Sequence, residues 1–314
     1  MRKLLPCMSA LALFFVALPG YAWFGAGHMV VAYIAYQNLT PELKSRIDDL
    51  LKLNDMYAAW TDGVADNEKA MVAFVKAATW PDCIKQKSCS PGYKSLGGDT
   101  PPGNATDAQN IGYADKLTHA YWHFVDLPYA AGAPGQPPKV PNALTEIQLL
   151  TKAISSSESD DIKSYDVVWL EHLVGDVHQP LHATSRFTKN HPNGDAGGNL
   201  VYLCAKPCKD ELHAYWDGLL GDDLTIDQVK QTGDRLLMAG KPEGTDKAMP
   251  RTWINESFAL AKSAAYAKPI SSDNQKGVSP RPDAGYQMNA TGIAEARVTL
   301  AGYRLAALLT NNLK

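Results

Sequence analysis

The run His172-Leu-Val-Gly-Asp176-Val-His178-Gln-Pro-Leu-His182 places three imidazoles and a carboxylate within eleven residues that are otherwise mostly apolar. Residues four apart share one face of a helix, so His172 and Asp176 project together, one turn above the other. Pro180 should end or kink that helix and let His182 swing back toward the same point. Neutral imidazole nitrogen with carboxylate oxygen is the ligand chemistry of zinc and its neighbours. The plainer alternative is a buried, hydrogen-bonded histidine pair on a core helix.

Other segments carry similar chemistry. His213-Ala-Tyr-Trp-Asp217 repeats the His-x3-Asp spacing, which also fits a polar pair on a helix surface. Tyr121-Trp122-His123-Phe124-Val125-Asp126 sets a histidine in apolar surroundings, with His119 four residues earlier as a rival ligand. Thr79-Trp80-Pro81-Asp82-Cys83 offers a carboxylate on a proline turn. In Trp23-Phe-Gly-Ala-Gly-His28 the two glycines allow backbone to approach a ligand closely.

The elements that must position these groups read as helices. Val30-Val31-Ala-Tyr-Ile34-Ala35 begins one amphipathic helix, and Thr40-Pro41-Glu42 is a start signal for the next. Further helical patterns fall near 63–78, 112–122, 142–157, 161–179, 210–220, 224–238, 247–267 and 285–312. Strand alternation is scarce. Gly198-Asn-Leu-Val-Tyr-Leu203 is the best candidate, read as a short β-hairpin ending near Cys204. Residues 84–111 and 128–141 are long loops rich in Gly, Pro, Ser and Asn. No repeat period and no dividing linker is visible, so the chain reads as one mostly α domain over 23–314.

Residues 1–22 read as a secretory signal peptide. Arg2 and Lys3 precede the apolar run Leu11 to Leu18, and Gly20-Tyr21-Ala22 supplies small residues for cleavage before Trp23. The apolar run is too short to span a bilayer, and no other segment is long and apolar enough. Export to the periplasm or the medium follows. The α-amine freed at Trp23 would have the lowest reference pKa of any amine in the chain, about 7.7–8.0, and so could serve as a neutral nitrogen donor.

Hydrophobic residues make up 45% of the chain, enough for a substantial core. Thirty basic residues, two of them in the leader, face 33 acidic ones. That balance argues against a basic-patch nucleic-acid binder, but not against phosphate chemistry served by bound divalent metal. Of five cysteines, Cys7 leaves with the leader; Cys83, Cys89, Cys204 and Cys208 remain. An even count in an exported chain favours disulfides, and the close spacings suggest Cys83–Cys89 and Cys204–Cys208, although three pairings exist and a structural zinc site is the rival.

Taken in order, these segments resemble the S-one/P-one type of zinc-dependent nuclease, secreted and single-strand-specific. The ordered set is Trp23 with Gly-His28, Trp-x-Asp82, His123-Phe-x-Asp126, His172-x3-Asp176-x-His-Gln-Pro-x-His182, Gly-Asp195-x-Gly-Gly-Asn199 and His213-x3-Asp217. The resemblance implies the mostly helical, single-domain phospholipase C/zinc-dependent nuclease fold and three zinc ions. Asp82, His123 and His172 would hold one zinc, with Asp176 bridging to a second held also by His28 and by the amine and carbonyl of Trp23. His182, His213 and Asp217 would hold the third. His119, His178 and His191 match no family ligand. Phe124 matches the residue that stacks on a base and Asp126 the one that bonds its edge; Asn199 joins them as a substrate-binding position.

The implied reaction is attack on phosphorus by a hydroxide bridging the two Asp176-linked zincs, with Asp82 orienting it and Asp176 carrying the bridge. The third zinc would stabilise the leaving 3′-oxygen. Single-stranded DNA and RNA would give 5′-phosphorylated products, and 3′-nucleotides would also be substrates. No stable protein partner and no membrane is implied. Two departures stand out: a long insertion between Asp82 and His123 that contains Gly97-Gly98-Asp99-Thr100-Pro101-Pro102, and a stretch after Asp126 (Leu127-Pro128-Tyr129) that lacks clear polar residues. The rival functions are a zinc phospholipase C and a zinc-binding protein without catalysis.

Overall fold

A computed structural model describes residues 23–85, 117–204, 210–270 and 281–314. It is mostly helical. The elements are α1 (Gly25–Gln37), α2 (Pro41–Leu51), α3 (Tyr57–Trp60), α4 (Lys69–Ala77), α5 (Trp80–Cys83), β1 (Pro128–Ala130), α6 (Ala143–Ile154), α7 (Asp160–Asp176), β2 (Ser185–Phe187), α8 (Leu212–Asp217), α9 (Ile226–Met238), α10 (Pro250–Leu260) and α11 (Ala284–Asn312). Short 3₁₀ turns lie at Ala120–His123, Pro180–Ala183 and Gly218–Leu220, and a π turn at Ala261–Ala265.

The helix starts follow local chemistry. Thr40 accepts from Leu43 N ahead of Pro41, as its sequence suggests. Asn142 and Thr225 open α6 and α9 with reciprocal capping boxes. The expected helix near 112–122 reduces to the 3₁₀ turn at Ala120–His123, and residues 112–116 lie outside the described residues.

Helix α1 is the axis of the molecule. Every residue from Ala26 to Ala35 is buried, so it is not the amphipathic surface helix that its first residues suggest. It packs against α11, α9, α4 and α7, which together cover its whole circumference. A helix apolar all round belongs in the interior. Helix α7 is buried from Lys163 to Asp176 in the same core, so α1 and α7, which carry His28, His172 and Asp176, are held rigidly. A smaller cluster of Leu181, Val201, Leu212, Trp216, Tyr266 and Tyr286 fastens α8 and the 180–183 turn.

The expected β-hairpin at 198–203 is reduced to a single antiparallel bridge, Tyr202 with Glu211. The sheet is instead the parallel pair β1–β2, with Tyr129 opposite Arg186. Three residues per strand give alternation no length in which to show. The pair matters because it ties the segment after Asp126 to the segment after His182.

Two carboxyls that belong to none of the donor groups are buried on α6 and α7. Burial pushes Glu146 up to about 8. Burial, with Glu158 and Glu146 nearby, raises Asp166 to about 8 as well. A carboxyl with a raised folded pKa holds its proton more tightly in the folded chain. Its contribution is therefore fully present in acid and is lost as pH rises through about 8. Glu146→Gln removes that loss. Its melting temperature should match the parent at pH 5 and exceed it by about 5 °C at pH 9 in thermal unfolding scans. Equal melting temperatures at both pH values would contradict the assignment.

Candidate metal centre

The donor residues come from six elements and meet at the C-terminal end of α7. There His172 and Asp176 stand one turn apart, with Nε2 and Oδ2 separated by 3.2 Å. The helix stops at Asp176, and Gln179 N bonds back to Asp176 O as the chain turns. Pro180 then opens the 3₁₀ turn that delivers His182, the route expected from the sequence. Helix α1 supplies His28, the short α5 supplies Asp82, the 120–123 turn supplies His123, and α8 supplies His213 and Asp217 four residues apart.

Three donor groups result: His28 with His172 and Asp176; Asp82 with His123 and His172; and His182 with His213 and Asp217. Within each, the ligand atoms lie within 4.8 Å of one another. Asp176 faces two of these groups. Its Oδ1 lies 3.2 Å from His28 Nε2, while its Oδ2 lies 3.0 Å from His123 Nδ1 and 3.2 Å from His172 Nε2. Asp82 Oδ1 stands 3.6 Å from His172 Nε2 and 3.7 Å from His123 Nδ1.

The second nitrogens fix the tautomers. His182 Nδ1 is 2.7 Å from His123 O, and His213 Nδ1 is 2.7 Å from Gly197 O. A carbonyl only accepts, so both Nδ1 atoms carry hydrogen and both Nε2 atoms carry lone pairs. Those lone pairs face each other at 3.1 Å, with Asp217 oxygens 3.8 and 3.5 Å away. At the His182–His213 pair two lone pairs thus oppose each other; His172 is oriented by a carbonyl in the same way, but the tautomer of its neighbour His123 is not fixed by one. His172 Nδ1 donates to Ala78 O at 2.8 Å, and His172 Nε2 then meets His123 Nδ1 at 2.8 Å. Buried electron-rich atoms this close repel unless a cation lies between them. Imidazoles oriented by backbone carbonyls and facing carboxylates fit a divalent metal of the zinc type.

The electrostatics agree for His28 and His123, whereas at His172 burial is outweighed by Asp176 and Asp82, which raise it. Burial lowers His28 to about 4, with His172 adding to the effect and Asp176 opposing it. Burial and Lys85 lower His123 to about 3. Both imidazoles are therefore neutral, the form that ligates. Burial opposes ionisation of Asp82, but Lys85, His172 and His123 outweigh it and hold the carboxyl well below its usual range. For Asp176 the histidines likewise overcome burial. Burial drives Asp217 the other way, well above the usual range. A bound cation would reverse that.

Close packing makes the convergence possible. A Cβ on Gly175 would sit 2.8 Å from His28 Nδ1, and one on Gly27 would sit 2.7 Å from Trp23 Cβ. Trp23 is fully buried, and its indole Nε1 donates to Gly175 O at 3.2 Å. Trp23 therefore lies against Gly27 and Gly175, the neighbours of His28 and Asp176.

The remaining histidines are engaged elsewhere. His178 donates from Nδ1 to Val174 O and accepts at Nε2 from Arg304 Nη1, at 2.7 and 2.9 Å. It packs against the Glu256–Arg297–Arg304 network and has no lone pair to spare. His119 stacks on Trp122 with ring centroids 3.7 Å apart, and it joins none of the three groups. His191 is half-buried beside Thr188.

Phe124 follows His123 directly and is 36% exposed, so its ring is accessible. Asp126 is half-buried, and burial together with Asp195 raises it to about 7 against the pull of Lys139. Asn199 is half-buried and donates from Nδ2 to Ala196 O at 2.7 Å. No hydrogen bond among the described residues joins it to Asp126. Cys89 and Cys208 lie outside the described residues.

Sequence reading misses two participants. Lys85 lies three residues after Asp82, with Nζ 2.8 Å from Asp82 Oδ1 and its side chain only 5% exposed. The Asp-x2-Lys spacing was the available signal. Gln179 donates to Asp217 Oδ1 at 2.7 Å and accepts from Leu181 N, so it orients a donor while capping the turn that carries His182.

Comparison with known proteins finds nucleases. Nuclease S1 from Aspergillus oryzae is 25% identical over 324 aligned positions, covering 98% of this chain and 97% of that protein. Endonuclease 5 and Endonuclease 4 from Arabidopsis thaliana are each 26% identical over 177 positions. Those matches take in 49% of this chain and 54% of each plant protein, so they span about half the length of these relatives. A family model described as S1/P1 Nuclease matches residues 23–314, and so the chain belongs to the S1/P1 nuclease family.

Proposed function

We propose that the mature chain, Trp23 to Lys314, is a single catalytic domain that hydrolyses single-stranded DNA and RNA to 5′-phosphorylated products and also removes phosphate from 3′-nucleotides. It would do so with three zinc ions held by Trp23, His28, Asp82, His123, His172, Asp176, His182, His213 and Asp217. The observation that carries this reading is the pair of lone-pair-bearing Nε2 atoms of His182 and His213 facing each other beside Asp217, with one Asp176 oxygen against His28 and the other against His123 and His172. Bound zinc supplies positive charge for the phosphate and lowers the pKa of water to about 7.

The chain's own residues do the rest. Asp82 is held ionised and can accept a proton from attacking water. The Lys85 ammonium beside it attracts the substrate phosphate into reach. Phe124 offers an exposed ring for a base, which must first be unstacked, and this favours single strands over duplex. Asp126 accepts from the base edge when ionised, so discrimination between bases should strengthen as pH rises through about 7.

Residues 1–22 would act as the leader for export to the periplasm or medium, and no described helix is long and apolar enough to cross a membrane. The oxidised state of Cys83 and Cys204 supports the pairs Cys83–Cys89 and Cys204–Cys208.

The test is hydrolysis by mature protein of a single-stranded oligonucleotide, its duplex and phosphatidylcholine, with and without chelator. Cleavage of the single strand to 5′-phosphates, abolished by chelation and restored by zinc, is the expected result. Turnover of phosphatidylcholine alone, or of nothing, would refute the reading. Phe124→Ala should raise KM for the single strand about tenfold while leaving zinc content unchanged, as measured by steady-state kinetics and metal analysis. An unchanged KM would remove the ring from substrate binding.

A further inference from the structure

Beside the donor groups lies a cavity of about 390 Å³, lined by Phe24, Gly25, Thr79, Asp82, Cys83, Asp222 and Asp223. Neither Phe124 nor Asp126 lines it. Its volume lies within the range of about 300–1,000 Å³ typical of small-ligand pockets. Its walls are fixed to the metal centre. Asp82 is both wall and donor. Phe24 N donates to Asp217 O at 3.1 Å, and Ala26 N donates to Asp222 O at 3.3 Å. The Phe24 ring is seated on Gly218, where a Cβ would fall 3.1 Å from Cε2 and 3.2 Å from Cδ2. The residue after Asp217 therefore has no side chain, and an aromatic edge occupies that room.

The lining has a definite chemistry. Asp222 and Asp223 are exposed, and no hydrogen bond or ion pair of their carboxylates is found among the described residues. Their charge repels phosphate and attracts N–H donors. An aromatic ring beside unpaired carboxylates suits a flat heterocycle with amino groups on its edge. Guanine matches best, because its N1–H and N2–H₂ donors lie side by side and fit the two oxygens of one carboxylate. Adenine and cytosine each offer one exocyclic amine. Thymine and uracil offer a single N–H flanked by carbonyls, which a carboxylate repels.

We propose that this cavity is a second nucleobase pocket. It would hold the amino-bearing base of the nucleotide joined to the scissile phosphate on the side that Phe124 does not serve, with Phe24 stacking and Asp222 and Asp223 accepting from the base edge. The inference rests on the phosphodiesterase reading above.

Two dinucleotide series test it. One keeps thymidine on the 5′ side of the phosphate and varies the 3′ base; the other does the reverse. The probe for the metal centre alone is bis(p-nitrophenyl) phosphate, which has no nucleobase. Mature enzyme should prefer guanine to thymine by about tenfold in kcat/KM in one series only. The double variant Asp222→Asn, Asp223→Asn should bring that ratio to within about twofold, with zinc content and bis(p-nitrophenyl) phosphate turnover unchanged. Phe24→Leu should lower kcat/KM about fivefold for every base in that same series, and serves as an independent check should the double variant fold poorly. Four outcomes overturn the pocket: no base preference in either series, a preference that survives the double variant, a loss confined to bis(p-nitrophenyl) phosphate, or an extra zinc ion lost with the two carboxylates. An enzyme inert toward every diester would instead defeat the phosphodiesterase reading itself, and the pocket with it.

Discussion

Replacing Asp176 with alanine is expected to lower zinc content from about three ions per chain to about one and to cut turnover on the order of a thousandfold or more. The size of the effect follows from position. Asp176 Oδ1 faces His28, and Asp176 Oδ2 faces His123 and His172, so one carboxylate completes two of the three donor groups. Without it, the His28 group loses its only anion and the Asp82 group loses a second carboxylate that faces His123 and His172. Fewer anionic donors hold a divalent cation less well, and water entering the space left by the carboxylate would satisfy the imidazoles instead. The third group, His182 with His213 and Asp217, shares no residue with the others and should keep its ion. Metal analysis with activity assays on the purified variant gives the check. Full zinc content with near-normal turnover would remove Asp176 from the bridging position.

Blocking cleavage before Trp23 should also be severe. A chain that retains its leader has an amide, not an amine, at Trp23 N. An amide nitrogen has no lone pair to give a metal, whereas an α-amine with a pKa of about 7.7–8.0 gives one readily at mild pH. Trp23 is fully buried and is fastened by its indole to Gly175 O, so the amino end has no room to retreat and be replaced by another ligand. An uncleavable leader should therefore cost about a hundredfold in activity and about one zinc ion, against the mature chain with its amino end verified by intact mass. Equal activity of the two forms would rule out the amine as a ligand.

Much of this centre is legible in the sequence because helical spacing is rigid. His172 with Asp176 and His213 with Asp217 could be paired at four residues' distance, and the turn at Pro180 foretells where His182 goes. What lies across the chain is harder to read. That α1 is buried on every side depends on α11 and α9 closing over it, and both come late in the sequence. The role of Gly175 depends on His28, distant in sequence but so close in space that a Cβ would nearly touch the ring. The three-residue strands β1 and β2 are too short to alternate. The resemblance already leaves His178 out of the donor set, but that Arg304, 126 residues on, takes its second nitrogen is visible only in space. Lys85 escapes a reading of the sequence because a lysine three residues after an aspartate is electrostatically plain until the histidines around Asp82 are seen.

Anomalous diffraction at the zinc edge, from crystals of mature protein, tests the central claim most directly. Three strong peaks are expected: one between His28 and Asp176, one among Asp82, His123 and His172, and one among His182, His213 and Asp217. Fewer peaks in these places, or zinc bound only elsewhere on the chain, would contradict it.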